Sequence, residues 1–196
     1  MRRGYSVPML TLCLLLSGCG AGETMSAAEQ LRQLHRDAEG CTVTAQILCD
    51  QEGLVWEGTL KCDYAARGDA VVEIIAPEIL AGVKVTVGED FALSYEGDIL
   101  NVAPRSQECI SAADCLPRMM DALREGWLLE ENCEKWQETE CVRLSVDQSG
   151  TNGKLYTTFW LRQDDGVPLR AEIAAEEETI FTAEFTQFAF CDIIDP

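Results

Sequence analysis

The groups in this 196-residue chain with chemistry to offer are 10 cysteines, a single histidine and 34 acidic side chains. A thiolate nucleophile needs a base or a cation beside it. The only histidine, His35, has no second histidine and no neighbouring nucleophile in sequence, so it reads as a structural or rim residue. No Cys-x-x-Cys occurs, which leaves zinc ligation and thioredoxin-like redox chemistry without a motif. Carboxylate pairs abound, but in so acidic a chain their occurrence does not single out a glycosidase-like acid/base pair. No glycine-rich phosphate loop sits between a strand and a helix. The oxygens over residues 147–152 lack the EF-hand spacing and its closing glutamate, and read as a turn. No catalytic constellation, metal site or cofactor site assembles, so the expectation is a protein that is not an enzyme.

One cysteine stands apart by position. Arg2 and Arg3 precede an apolar run over residues 7–16, and Leu16-Ser17-Gly18-Cys19 follows. A charged start, a short greasy core and small residues before a cut site make a secretory signal. A membrane span needs about 20 apolar residues, twice the length of this run. The Ala-x-Ala of ordinary signal cleavage is absent, and Leu-Ser-Gly-Cys resembles the lipobox of bacterial lipoproteins. The resemblance implies cleavage before Cys19, a diacylglyceryl group on its sulfur and acylation of its new amine. Acyl chains of the palmitate kind in that number suffice for stable anchoring. The expected organisation is a signal peptide over 1–18, a lipidated tether over 19–25 and one domain over 26–196. The expected location is the extracytoplasmic face of the cell membrane.

Charge bounds the partners. Cleavage removes two arginines and no acid, taking the formal charge from −19 to −21. Such a body is repelled by nucleic acid and by anionic headgroups, so no nucleic-acid partner is expected and the anchor alone holds it to the membrane.

Cys13 leaves with the signal and Cys19 carries lipid, so eight cysteines remain, an even number in an exported chain. That favours disulfides, with buried free thiols as the alternative. A turn at Asp50-Gln51-Glu52-Gly53 pairs Cys49 with Leu54 and so sets Cys41 opposite Cys62. Cys133 and Cys141 flank a short reversal containing Trp136. Cys109 and Cys115 are close in sequence, and Cys49 with Cys191 would tie the first strand to the last.

These groups need elements to hold them. Ser26 and Glu29 form a capping-box pattern opening a helix with Ala27, Leu31, Leu34 and Ala38 on one face. From Cys41 the apolar period becomes two, giving strands over 41–49, 54–62, 70–76, 83–87 and 91–95. A break over 104–116 follows, and Pro117 suits the first position of a second helix that stops at Gly126. Its Met119 and Met120 fit either a core or a soft surface for apolar ligands. Strands return over 142–146, 155–161, 167–174 and 180–190. Short connections imply an antiparallel meander, curved, with two helices on its inner face: an α+β, half-open β-barrel. Trp56, Phe91, Tyr95, Met119, Met120 and Trp160 are candidates to line its hydrophobic groove.

Several segments are similar to the lipoprotein carrier and receptor superfamily, the LolA/LolB-like proteins. They are Pro77-Glu-Ile-Leu-Ala-Gly82, Phe91-Ala-Leu-Ser-Tyr95-Glu-Gly97, the stretch from Trp160 through Gly166-Val-Pro168 to Ile173, and Phe185-Thr-Gln-Phe188. Leu116-Pro117 before a short apolar helix, with Cys133 and Cys141 after it, resembles clostridia-type members with a lipobox, including spore germination lipoproteins of the GerS type. The likeness spans residues 27–190. It implies a half-open antiparallel barrel with helices in its mouth that holds acyl chains. The expected function is therefore a membrane-anchored module binding a lipid or lipoprotein acyl chain. The alternative is a tethered interaction module for an envelope protein, its groove filled by its own helices.

A Cys19→Ala variant should remain uncleaved at residue 18 and lack the diacylglyceryl mass in intact-protein mass spectrometry. Normal processing with lipid mass would refute the anchor.

Overall fold

A computed structural model describes residues 25–51, 53–104, 110–149 and 154–191. Helix α1 (Ala27–Asp37) begins where the Ser26 hydroxyl accepts the Glu29 amide at 3.2 Å. The reciprocal half of the capping box is not made. Glu29 turns along the helix to Arg32 and Arg36, and Ser26 instead donates to Glu131 at 2.5 Å.

Strands β1 (Gly40–Gln51), β2 (Leu54–Ala65), β3 (Ala70–Ala76), β4 (Lys84–Val87), β5 (Asp90–Tyr95) and β6 (Asp98–Pro104) follow as a meander, with a 3-10 turn at Glu78–Leu80. Helix α2 (Ala112–Glu125) separates them from β7 (Trp127–Trp136), β8 (Thr139–Asp147), β9 (Leu155–Arg162), β10 (Pro168–Ala175) and β11 (Glu178–Cys191). The two meanders join through β1 and β11 into one antiparallel sheet, ordered β6-β5-β4-β3-β2-β1-β11-β10-β9-β8-β7. Among the described residues β6 and β7 are its edges, so the sheet is open, as expected of a half-barrel.

The connection from one edge to the other is α2, which crosses the concave face. It touches β2, β3 and β4 on one side and β8, β9, β10 and β11 on the other. Seven strand spacings separate β4 from β8, about 34 Å on a flat sheet, whereas a helix is only about 10–12 Å across. The sheet must therefore curl around α2.

Three local expectations are corrected. The first hairpin has Gly53 at φ +83° in its turn, and its strands pair to Gln51 and Leu54. Gln51 thus pairs with Leu54, Cys41 with Tyr64 and Val43 with Cys62, two residues from the register read in sequence. The shift is even, so every side chain keeps its face. Second, α2 begins at Ala112, because Ser111 accepts the Asp114 amide at 3.2 Å and caps it there. Pro117 then sits inside the helix, near its start. Third, Leu34 is 45% exposed, and the buried stripe of α1 is Ala28, Leu31, Arg32 and His35.

The helices are joined by an exchange of caps. Arg32 donates to the carbonyls of Leu123 (2.9 Å) and Gly126 (2.5 Å), and Arg36 to that of Arg124 (2.9 Å). In return Arg124 donates to the carbonyls of His35, Arg36 (3.1 Å) and Ala38 (2.9 Å). Each C-terminus thus has its orphan carbonyls and negative dipole end met by the other helix's guanidinium groups. Arg124→Ala should lower stability by about 2–3 kcal/mol in urea titration, since it strands carbonyls packed away from water. A loss below about 0.5 kcal/mol would show that water replaces the cap.

Candidate functional site

The concave face is the natural place for a ligand, and α2 fills it. Cys115, Leu116, Met119, Met120 and Leu123 are wholly buried in a core with Ile47, Leu60, Leu144, Phe159 and Phe181. Tyr64, at the far end of β2, donates to Asp121 of α2 at 2.7 Å. Burial, then this bond to a carboxylate, raises the Tyr64 phenol above its usual pKa, so it stays a donor.

The six groove candidates separate accordingly. Met119 and Met120 plug the groove rather than line it. Trp56 and Phe91 are half-buried against the same core. Tyr95 is 47% exposed at the rim beyond α2. Trp160 does not belong to the groove. It alternates with the core residues Phe159 and Leu161 and lies in register with Arg143 and Arg170 on the convex face. There its indole donates to Glu134 at 2.6 Å, Trp136 packs at 5.6 Å, and Arg170 lies 4.9 Å above the Trp136 ring.

A small crevice remains at one end, lined by His35, Gly40, Cys41, Tyr64, Met120, Arg124 and Phe190. It brings a thiol and an imidazole together, but in the wrong protonation states for catalysis. Burial pushes the Cys41 thiol up to about 12 and lowers His35 to about 4. Neither ionises near neutrality, so no thiolate–imidazolium pair forms. The His35 ring donates through Nε2 to the Gly166 carbonyl at 2.8 Å and packs edge-on to Phe188 and Phe190. Among the described residues no cluster of three or more His, Cys, Asp or Glu is placed to hold a metal ion. Nor is any helix there long and apolar enough to cross a membrane.

The seven described cysteines, Cys41, Cys49, Cys62, Cys115, Cys133, Cys141 and Cys191, are free thiols. The register explains the departures from the expected pairs. Cys41 faces Tyr64 and Cys62 faces Val43, so they meet only diagonally. Cys133 pairs with Val142 and Cys141 with Glu134, which puts the two sulfurs on opposite faces of the sheet. Cys49 lies beside Phe181 and Cys191 beside Gly40, at opposite ends of the β1–β11 ladder. That is about 30 Å, far beyond disulfide reach. Cys115 is buried on α2, while Cys109 and Cys19, the expected point of lipid attachment, lie outside the described residues.

What sequence reasoning missed is the rim. At the end of the sheet where β3 meets β4 and β5 meets β6, Ile79, Leu80, Tyr95, Ile99 and Leu100 are exposed. The main contacts of α2 on this side of the sheet are with β2, β3 and β4. A β-prone Asp98-Ile-Leu-Asn-Val-Ala-Pro104 after a turn glycine was the available signal.

No protein-family model matches the chain, and no curated protein matches it. Solved structures do. The LolA superfamily protein NE2245 from Nitrosomonas europaea is 11% identical, with 87% of this chain and 96% of that chain covered at a TM-score of 0.40. LprF from Mycobacterium bovis is 11% identical over 83% and 90% at 0.48. A structure of the CwlD amidase from Clostridioides difficile in complex with the GerS lipoprotein is 13% identical over 86% and 99% at 0.42. Similarity at this level does not assign the chain to a family.

His35 gives the fold a pH dependence. Its folded pKa, about 4, lies below the ordinary 6.5, chiefly through burial and also through the nearby Arg124. The unfolded chain therefore takes the proton first as pH falls. The contribution is complete above pH 6.5 and is lost between 6.5 and 4, up to about 3 kcal/mol. His35→Gln should flatten the stability profile in that window, measured by urea titration at each pH. An unchanged slope would place the titrating group elsewhere.

Proposed function

We propose that the chain is a membrane-tethered interaction module of the cell envelope, whose concave face is occupied by its own helix and takes no ligand. The observation that supports this most directly is the complete burial of Leu116, Met119, Met120 and Leu123. Volume that would admit an acyl chain is occupied by side chains. Vacating it means withdrawing α2, which breaks the exchanged arginine caps and the Tyr64–Asp121 bond together. Those are several hydrogen bonds to buried groups, each costly to leave unmade. Loss of α2's buried apolar side chains adds about 1.5–3 kcal/mol for each large one.

The tether rests on the Leu16–Cys19 motif, and the extracytoplasmic location follows from it. With the concave face filled, the function in this reading is recognition by surface. The acidity of the chain directs that recognition away from nucleic acid and from bare anionic membrane.

A version made without Cys19 should carry no stoichiometric lipid in native mass spectrometry and show no saturable binding of a fluorescent fatty-acyl probe. One bound lipid per chain, or saturation abolished by a polar substitution at Met120, would reverse the reading in favour of a lipid carrier.

A further inference from the structure

The two edges of the open sheet are built differently. Natural proteins protect exposed edges with charge, bulges or proline, because unpaired backbone groups recruit other strands. Strand β7 follows that rule. It carries Glu130, Glu131, Glu134 and Lys135, and a bulge interrupts its pairing between Leu128 and Glu130. Strand β6 does not. Its sequence has no charge between Asp98 and Pro104, and Ile99 and Leu100 are 74% and 64% exposed. Among the described residues nothing pairs with its outer side.

The charges lie at its ends. Asp98 opens β6, with Glu96 in the turn before it, while Asp90 is directly opposite Pro104, with Glu89 beside it. All four are exposed, and none is in an ion pair among the described residues. A stretch of edge backbone about 20 Å long, without charge and bulged at Val102, is thus bracketed by acids. A second copy of this chain would bring the same acids to the same ends and a like net charge of −19.

Building on the interaction-module reading, we propose that β6 receives an extended segment of a partner protein as a twelfth strand. That segment has β-prone, uncharged residues in its centre and a lysine or arginine at each end, six positions apart. Backbone hydrogen bonds to β6 supply the affinity, as in other strand additions. The flanking cations supply selectivity and speed of encounter, one beside Asp98 on β6 and the other near Asp90, one strand further in. Because acids stand near both ends of β6, the basic–apolar–basic pattern is read in either chain direction.

The test uses the exported full-length protein and a synthetic capped peptide, Lys-Val-Thr-Val-Thr-Val-Lys, followed by hydrogen exchange and by titration. The peptide should slow exchange at β6 and leave β7 unchanged. Glu96→Lys with Asp98→Lys, both exposed, should weaken binding about tenfold or more while the thermal melt is retained. The same peptide with glutamate ends should not bind. Absence of binding at millimolar peptide, equal binding of the glutamate form, or protection at β7 overturns the β6 site and leaves the interaction module standing. Protection of β6 with dimerisation before peptide is added shows self-pairing and also overturns it. A co-purifying lipid on the concave face overturns the module reading itself.

Discussion

The structure depends on one helix having to cross a concavity. Chain order places α2 between the two edge strands, so it must travel from β6 to β7 over the inner face. Its apolar stripe, continuous from Cys115 to Leu123, is what the sheet curls to bury. An 11-stranded sheet left flat would bury only its middle strands under so narrow a cover. Curling lets one helix serve strands on both sides, from β2, β3 and β4 to β8, β9, β10 and β11.

Arginine supplies 11 of the 15 basic side chains in this acidic chain, and its placement is informative. Three arginines hold the helices end to end by donating to each other's terminal carbonyls. Two more, Arg143 and Arg170, lie against Trp136 and Trp160 on the convex face and bridge to Glu130, Glu172 and Glu184. Guanidinium suits both tasks because its planar fork donates in several directions and stacks on rings. Capping also makes α2 cooperative with α1: neither end is released without exposing carbonyls on both. With the groove plugged in this way, the proposed recognition falls to the rim and edges.

Buried titratable groups fit the same picture. His35 is held neutral between Phe188 and Phe190, and the concave thiols are held protonated by burial. Such groups are inert near neutrality. Their value is packing, with acid sensitivity as the consequence of keeping an imidazole dry.

Periodicity carried far in the sequence. The cap at Ser26, the strands from β1 to β5 and from β8 to β11, and the open antiparallel class were all legible there, because each rests on local alternation or a local cap. Both edge strands escaped notice. An edge has one neighbour and little burial, so β7 mixes Leu with Glu and β6 lies among masking turn residues. The face of each cysteine was readable, but its partner was not, because a hairpin shorter by two residues preserves faces while moving every pair. Tertiary structure alone decided that Trp160 points outward, that Met119 and Met120 fill the groove, and that arginines cap across helices. Local sequence determines which side of an element is apolar. What that side meets depends on contacts between residues nearly a hundred positions apart, such as Arg32 with Leu123, and no local period encodes them.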